Sequence, residues 1–168
     1  MMKNLRKFML TKYILLACIF AGSAYTTPMN REKIEKQIKN YEKYALSHEM
    51  LAYAIRDMEI QHPEWAYRQA MLESGSLSSR LTRRQNNLFG MKMPRKRDTF
   101  ASAPGSNRYA KYDTWAHSVA DYKLYQGEQE IKDYKKFLKS KKYSETNNYV
   151  DRLNAIKIPD RILKILHS

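Results

Sequence analysis

The chain has 168 residues, 43% hydrophobic and 29% charged, so one domain with an apolar core is expected and wholesale disorder is excluded. Lys and Arg number 31 against 17 Asp and Glu, and the formal net charge of +14 predicts an acidic partner. The single cysteine excludes a disulfide framework, and the four histidines are too scattered for metal spacing, so we expect no cofactor and no metal.

The first 24 residues are typical of an export signal. A basic start without acids precedes the apolar run Tyr13-Ile-Leu-Leu-Ala-Cys-Ile-Phe-Ala21, and small residues follow at Gly22-Ser-Ala24. We predict cleavage after Ala24 and export to the periplasm, cell wall or exterior. The motif Leu15-Leu-Ala-Cys18 resembles a lipobox, so anchoring to a membrane through a lipidated Cys18 or an uncleaved signal is the alternative.

Residues 25–47 form a polar arm, for which the stripe Ile34, Ile38, Tyr41 and Ala45 predicts one helix with Asn30 as N-cap. The catalytic domain is predicted over residues 48–168. Its first helix covers about 49–61 and ends at His62-Pro63. A second helix follows over 64–73 and ends at Ser74-Gly75, since proline suits a first helical turn and glycine a helix end.

Residues 76–108 contain no long periodic stretch and are predicted to form a lobe of loops, with a short hairpin ending at 109–112. Asp113 or Thr114 caps a helix whose stripe begins at Trp115. Further helices are predicted at about 128–139, 145–156 and 160–167. The fold class is therefore mainly α, with a small irregular lobe that forms one side of a cleft.

Glu73 is the first candidate for chemistry. Ala66, Ala70 and Glu73 share one helix face, where the small side chains allow close packing that dries the carboxyl group. Burial and the negative end of a helix both raise a carboxyl pKa, and a carboxylic acid that stays protonated near neutral pH can protonate a glycosidic oxygen. The alternative is a structural ion pair with Arg68 or Arg80.

Three segments together resemble the glucosaminidase domains of glycoside hydrolase family 73. They are Gln69-Ala-Met-Leu-Glu-Ser-Gly75, Asn86-Asn-Leu-Phe-Gly-Met-Lys92 and Tyr109-Ala-Lys-Tyr-Asp-Thr-Trp115. The resemblance spans about residues 48–127. It implies a lysozyme-like fold and hydrolysis of the β-1,4 bond after N-acetylglucosamine in bacterial peptidoglycan. It also implies that Glu73 is the general acid and that Tyr112 is a second catalytic residue, which places water or the acetamido group.

A second carboxylate is harder to assign. Asp98 is the only acid between Gly75 and Tyr112, which makes it the candidate for positioning water, and a solvated loop residue is the alternative reading. A substrate-assisted route, in which the acetamido oxygen of the sugar takes part, needs no second acid. The turn Ser76-Leu-Ser78 departs from the aromatic or glycine-rich turn of many family members.

Five further residues are candidates for binding the glycan. The amides of Asn86 and Asn87 suit an N-acetyl group, and the flat rings of Phe89, Tyr109 and Trp115 suit the C–H faces of sugars. Four of them have a structural alternative: a loop amide for the two asparagines, and a place in the core for Phe89 and Trp115.

The predicted protein is an exported, monomeric peptidoglycan hydrolase whose partner is the glycan strand. A non-catalytic wall-binding domain of the same fold and a lytic transglycosylase remain as alternatives. The basic residues of the lobe predict attraction to the anionic cell wall. We expect no nucleic-acid partner, because an exported protein leaves the compartment that contains the nucleic acid.

Overall fold

The computed structural model describes residues 31–141, 143 and 148–168. The predicted signal, the lipobox cysteine and the Asn30 cap lie outside these residues. Eight α-helices form the described part: α1 (Arg31–Tyr41), α2 (His48–Asp57), α3 (Pro63–Ser74), α4 (Arg80–Gln85), α5 (Trp115–Gln126), α6 (Tyr134–Ser140), α7 (Tyr149–Ala155) and α8 (Asp160–Leu166). The predicted mainly α, lysozyme-like fold class is confirmed.

The lobe between α3 and α5 is small. Strands β1 (Ala103–Pro104) and β2 (Ala110–Lys111) pair antiparallel, Ala103 opposite Lys111, and the 3₁₀ turn Ser106–Arg108 connects them. The hairpin was expected, but α4 was not, because six residues are too few to show a helical period. Ser79 begins α4 by accepting a hydrogen bond from the Thr82 amide at 3.1 Å.

One large apolar cluster joins α1, α2, α3, α5, α8 and the lobe. Ile34, Ile38 and Tyr41 of α1 belong to this cluster, so the predicted arm contributes to the core of the domain. A second cluster surrounds Leu153 of α7 and includes Leu138 of α6. These two clusters fix α3 between the lobe on one side and α7 on the other.

Two helix starts differ from the sequence prediction. The helix expected from 128 begins at Tyr134, because Asp133 accepts the Lys136 amide at 3.1 Å and supplies an N-cap there. Thr114 precedes α5 as expected, but its hydroxyl lies 2.8 Å from His117 Nδ1 and makes no bond to a backbone amide.

Candidate active site

Glu73 occupies the last turn of α3. Gly75 ends the helix at φ +55°, where its amide donates to the Met71 carbonyl. Ala66 and Ala70 are fully buried on the same helix, and Glu73 itself is half-buried. The helix end therefore presents the carboxyl group in a partly dry position.

One phenol hydrogen bond reaches the Glu73 carboxyl group from α7. The Tyr149 hydroxyl donates to Glu73 Oε1 at 2.7 Å. Burial raises the pKa of Glu73, while this hydrogen bond and the charge of Arg152 oppose the rise without cancelling it. A carboxyl group with a raised pKa holds its proton closer to neutral pH, which is what a general acid requires.

Gly90 lies against the Glu73 carboxyl group. It belongs to Asn86–Lys92, the second of the three segments that resemble the glucosaminidase family. A Cβ atom placed on Gly90 would lie 2.8 Å from Glu73 Oε2, and the backbone of Gly90 has φ +64°. The positive φ favours glycine at this position, and a Cβ atom here would push the end of the Glu73 side chain away. The loop after α4 therefore closes over the acid, and the segments around Glu73 and Gly90 form one site.

Asn86 and Asn87 hold that loop. Asn87 is fully buried: its Nδ2 donates to the Met91 and Ala110 carbonyls, each at 2.8 Å, and its Oδ1 accepts from the Met91 amide at 3.0 Å. Asn86 donates to the carbonyls of Tyr112 and Asp113 at 3.0 Å. The expected contact between Asn87 and an N-acetyl group is corrected, because its amide is used in the interior.

Phe89 and Trp115 also lie in the core. Phe89 is fully buried and stacks on Tyr122 with ring centroids 4.0 Å apart. Trp115 is 6% exposed, and its Nε1 donates to the Tyr44 carbonyl at 3.0 Å. Their expected contacts with sugar are corrected, because neither ring presents a face to solvent.

Tyr112 belongs to a buried cluster around Asp121. Its hydroxyl donates to Asp121 Oδ2 at 2.8 Å, and the residue is 1% exposed. Asp121 also accepts from Arg97 at 2.8 and 2.9 Å, from Thr99 at 2.7 Å and from the Phe100 amide at 3.0 Å. Tyr112 therefore fastens the lobe to α5, and its phenol is turned away from solvent.

Tyr109 lies outside the core. It is half-buried, with the Lys92 ammonium 3.4 Å from its ring centroid. With Arg80, Arg84 and Lys111 it lines a cavity of about 640 Å³ between α4 and the hairpin. Three basic residues of the lobe and its flanking elements, Arg80, Arg84 and Lys111, thus line one cavity.

Asp98, the candidate second catalytic group, lies in the lobe. Asp98 is exposed, and its backbone carbonyl accepts a hydrogen bond from Arg97 at 2.7 Å. Its role stays a prediction.

The sequence reasoning missed Tyr149. It lies 76 positions after Glu73, and its hydroxyl meets the acid only because α7 packs on α3. Tyr149 begins α7 and points into the interior, as an ordinary core tyrosine of a short helix would. No local pattern marks it as a partner of the acid.

The fold is of the mainly α, lysozyme-like kind, with a half-buried glutamate at the end of a helix and a glycine loop against it. Residues 49–158 match the model of the glucosaminidase family, described as mannosyl-glycoprotein endo-beta-N-acetylglucosaminidase, and the chain belongs to this family. The resemblance seen in the sequence is thereby confirmed. No curated protein and no solved structure matches the chain significantly.

Family membership indicates a glycoside hydrolase of the peptidoglycan-hydrolysing kind, with a glycan as substrate. It also indicates a cell-wall or extracellular location. Within the described residues, none of the helices has the length and apolar character needed to cross a membrane.

Proposed function

We propose that the protein is an exported endo-β-N-acetylglucosaminidase that cleaves the β-1,4 bond after N-acetylglucosamine in peptidoglycan, with Glu73 as its general acid. The observation that carries the proposal is the setting of Glu73. Among the described residues, the carboxyl group has a raised pKa, one phenol donor at 2.7 Å, and a glycine loop that approaches Oε2 closely.

Glu73 would transfer its proton to the glycosidic oxygen as the bond from that oxygen to the anomeric carbon breaks. The resulting carboxylate is stabilised by the Tyr149 hydroxyl and by the positive charge of Arg152. Both groups act more strongly on the charged form, so they favour the state that exists after proton transfer.

The described surroundings of Glu73 support a route without a second carboxylate. Among the described residues, the charge that acts on its pKa comes from Arg152, and no carboxylate contributes. Asp121, which is fully buried among the described residues, is occupied by Arg97 and Tyr112. We therefore favour participation of the acetamido oxygen of the sugar, with Asp98 kept as a candidate for positioning water.

The same observation favours a second candidate function, that of a lytic transglycosylase. Such an enzyme also needs one acid, but a hydroxyl of the sugar attacks in place of water and the product is a 1,6-anhydro sugar. The two activities differ in product mass by one water molecule.

The test is digestion of purified peptidoglycan, with the products sized by mass spectrometry. Wild-type protein is expected to release fragments with reducing N-acetylglucosamine ends, and Glu73→Gln to be slower by about 10²–10⁴-fold, the usual contribution of a general acid. Glu64→Gln is the matched control: it removes a carboxylate from the same helix, where Glu64 pairs with Arg68 at 3.4 Å.

Each outcome decides between the candidates. Anhydro ends in place of reducing ends would establish the transglycosylase. Intact glycan with folded wild-type protein that sediments with the wall would leave only the binding domain. Equal activity of Glu73→Gln and wild type would remove Glu73 from the mechanism.

Export is a separate part of the proposal. It rests on the sequence of residues 1–24, and it predicts a secreted or periplasmic protein that begins at Tyr25. The mass of the protein recovered from cell fractions tests this. A Cys18 that carries lipid, or a full-length protein in the membrane fraction, would establish the anchored form.

A further inference from the structure

The cavity between α4 and the hairpin is lined by positive charge. It has a volume of about 640 Å³, and its charged lining residues are Arg80, Arg84 and Lys111. Among the described residues, no aspartate or glutamate lines it. All three basic residues are exposed, so their charged ends are free to turn toward a ligand. The cavity therefore has the charge that suits an anion.

Two neighbouring elements direct these side chains to one place. Arg80 and Arg84 are four residues apart on α4, so they lie on the same face of the helix. Tyr109 is extended and directly precedes β2, and Lys111 ends that strand. Residues two apart in an extended chain point to the same side, so both side chains face the cavity from the hairpin.

The charge of Arg80 has no explanation in the stability of its own helix. Arg80 is the first residue of α4, where the helix dipole disfavours a positive charge, and like charges four residues apart repel. In the described part of the chain, Arg80, Arg84 and Lys111 form no ion pair with an acid. A bound anion would relieve the repulsion between these charges.

The walls of the cavity are held together before any ligand arrives. A Cβ atom on Gly105 would lie 2.0 Å from Gln85 Oε1, so the hairpin backbone packs directly on α4. Gln85 Nε2 also donates to the Ser106 hydroxyl at 2.8 Å. On the hairpin itself, Lys92 Nζ donates to the Asn107 carbonyl at 3.0 Å. A cavity with fixed walls loses little freedom on binding, which favours affinity.

The same short segment connects the cavity to the acid. The Ser79 amide donates to the Ser74 carbonyl at 2.8 Å, so α4 starts beside the residue that follows Glu73. After α4 the chain continues to Gly90, which lies against Glu73 Oε2. The cavity and the acid therefore belong to one small lobe, and different parts of one branched polymer can occupy them together.

We propose that this cavity binds the carboxylates of the peptide stems that branch from the glycan strand of peptidoglycan. An arginine guanidinium pairs with a carboxylate through two parallel hydrogen bonds, and two arginines on one helix face suit two such groups. The Ser106 hydroxyl and the Asn107 side chain line the same cavity and suit the peptide amides. The choice of ligand rests on the proposed function, whereas the anion site itself does not.

Nucleic acid is the rival anion, and the shape of the cavity disfavours it. Proteins that bind single strands combine a groove that follows the phosphate backbone with aromatic rings on which the bases stack. Here the space is confined between one short helix and one hairpin. The Tyr109 ring is covered by Lys92, whose ammonium lies 3.4 Å from the ring centroid. A short branch with carboxylates fits such a site better than a continuous strand.

The experiment is an NMR titration of the ¹⁵N-labelled full-length protein with N-acetylmuramyl-L-alanyl-D-glutamate, which carries two carboxylates. The backbone amide signals of Ser106, Asn107 and Lys111 report on the cavity. At about 0.15 M salt, long-range attraction is screened. The same compound with both carboxylates amidated is the control ligand, and we expect it to bind about tenfold more weakly or worse, because hydrogen bonds to charged groups are the stronger ones.

Neighbouring arginines of α4 provide matched variants. Arg84→Gln keeps a long polar side chain but removes a charge from the cavity, and Kd should rise about tenfold. Arg80→Gln should act in the same direction. Arg83→Gln is the control: Arg83 is equally exposed on the same helix, but it donates to the Ser78 carbonyl and does not line the cavity. Its Kd should stay within about twofold of wild type, as expected for a distant screened charge.

Equal weakening in Arg83→Gln and Arg84→Gln would reduce the effect to net charge and overturn the site, as would equal affinity for the free and amidated peptides. A thymidine trinucleotide carries the same charge on two phosphodiesters. If it bound more tightly and shifted the same signals, the cavity would belong to nucleic acid. The titration needs no turnover, so a protein without glycosidase activity would refute the proposed function and leave peptide binding standing. An active enzyme whose signals do not shift would refute the peptide site alone.

Discussion

Two carboxyl groups of this domain are withdrawn from water and yet have opposite pKa shifts. Burial is the largest influence on both Glu73 and Asp121, and it raises both pKa values. Around Asp121 a guanidinium, a hydroxyl, a phenol and a backbone amide donate hydrogen bonds, and its pKa falls below the ordinary value. Around Glu73 the described hydrogen bond comes from one phenol, and its pKa stays raised.

The number of donors therefore decides what each carboxyl group does. Asp121 keeps its negative charge to lower pH than an ordinary aspartate and fastens the lobe to α5. Glu73 has one such donor among the described residues, and its raised pKa favours the protonated form. The same side-chain chemistry serves architecture in one place and, in the function we propose, acid catalysis in the other, and burial alone would not distinguish them.

The largest effect expected is on stability, in Asp121→Asn. The variant keeps the size of the side chain but leaves Arg97 without its charged partner, which costs about 3 kcal/mol of unfolding free energy in a buried pair. Urea denaturation measures it. A loss below about 1 kcal/mol would mean that the cluster is not structural.

Gly90→Ala should disturb Glu73, the other carboxyl group of this comparison. The new methyl group would meet Glu73 Oε2 at 2.8 Å in a left-handed backbone, so activity should fall at least about tenfold, with a stability loss of about 1–3 kcal/mol. Gly127→Ala carries a similar backbone penalty at φ +79° with nothing within 4 Å of the new atom. Equal losses of activity in the two variants would show that the contact with Glu73 is unimportant.

The two groups should also give opposite dependences of stability on pH. Asp121, with its lowered pKa, stabilises the fold fully above about pH 3.9, and this contribution is lost as pH falls through the lowered pKa. Glu73, with its raised pKa, costs stability as pH rises from about 4.3 through the raised pKa. The stability of Glu73→Gln relative to wild type should therefore increase over that second interval.

Thermal or urea unfolding of wild type, Glu73→Gln and Asp121→Asn across pH 3–8 checks both signs. The difference between wild type and Asp121→Asn should shrink at the acid end. A Glu73→Gln variant whose relative stability falls with rising pH would place the pKa of Glu73 below its ordinary value.

The smallest effect is expected in Tyr112→Phe. It removes one of the donors to Asp121, which is worth about 1 kcal/mol or slightly more for a charged acceptor. The unfolding free energy should show that loss. A fall in kcat of a hundredfold or more at unchanged folding would support the catalytic role that the family resemblance implies for Tyr112.

Much of the fold could be predicted because its signals are local. Pro63 and Gly75 bound α3 as expected, since proline suits a first turn and glycine the left-handed residue after a last one. The short helix α4 gave no periodic signal. The predicted start of α6 at 128 was too early, because it took no account of Asp133. The side chain of Asp133 caps α6 by accepting a hydrogen bond from the amide of Lys136, three residues later.

The site could be predicted only in part. Glu73 stands out because its helix face and its motif are contiguous in sequence. Tyr149 and Gly90 meet it through tertiary packing, and residue type alone does not reveal which tyrosine will donate to which carboxyl group. For Tyr112 the motif identified an important position, but Asp121, nine residues later, determines what the phenol does.

The packing of α1 and α8 limits how far the chain can be truncated. The family match covers residues 49–158 and omits both helices, yet Ile34, Ile38, Ile162 and Leu166 belong to the same apolar cluster as the helix of the acid. The matched segment is thus shorter than the part of the chain that shares this apolar core. A fragment trimmed to the matched residues would expose the core-facing sides of α2 and α5 and would be expected to aggregate.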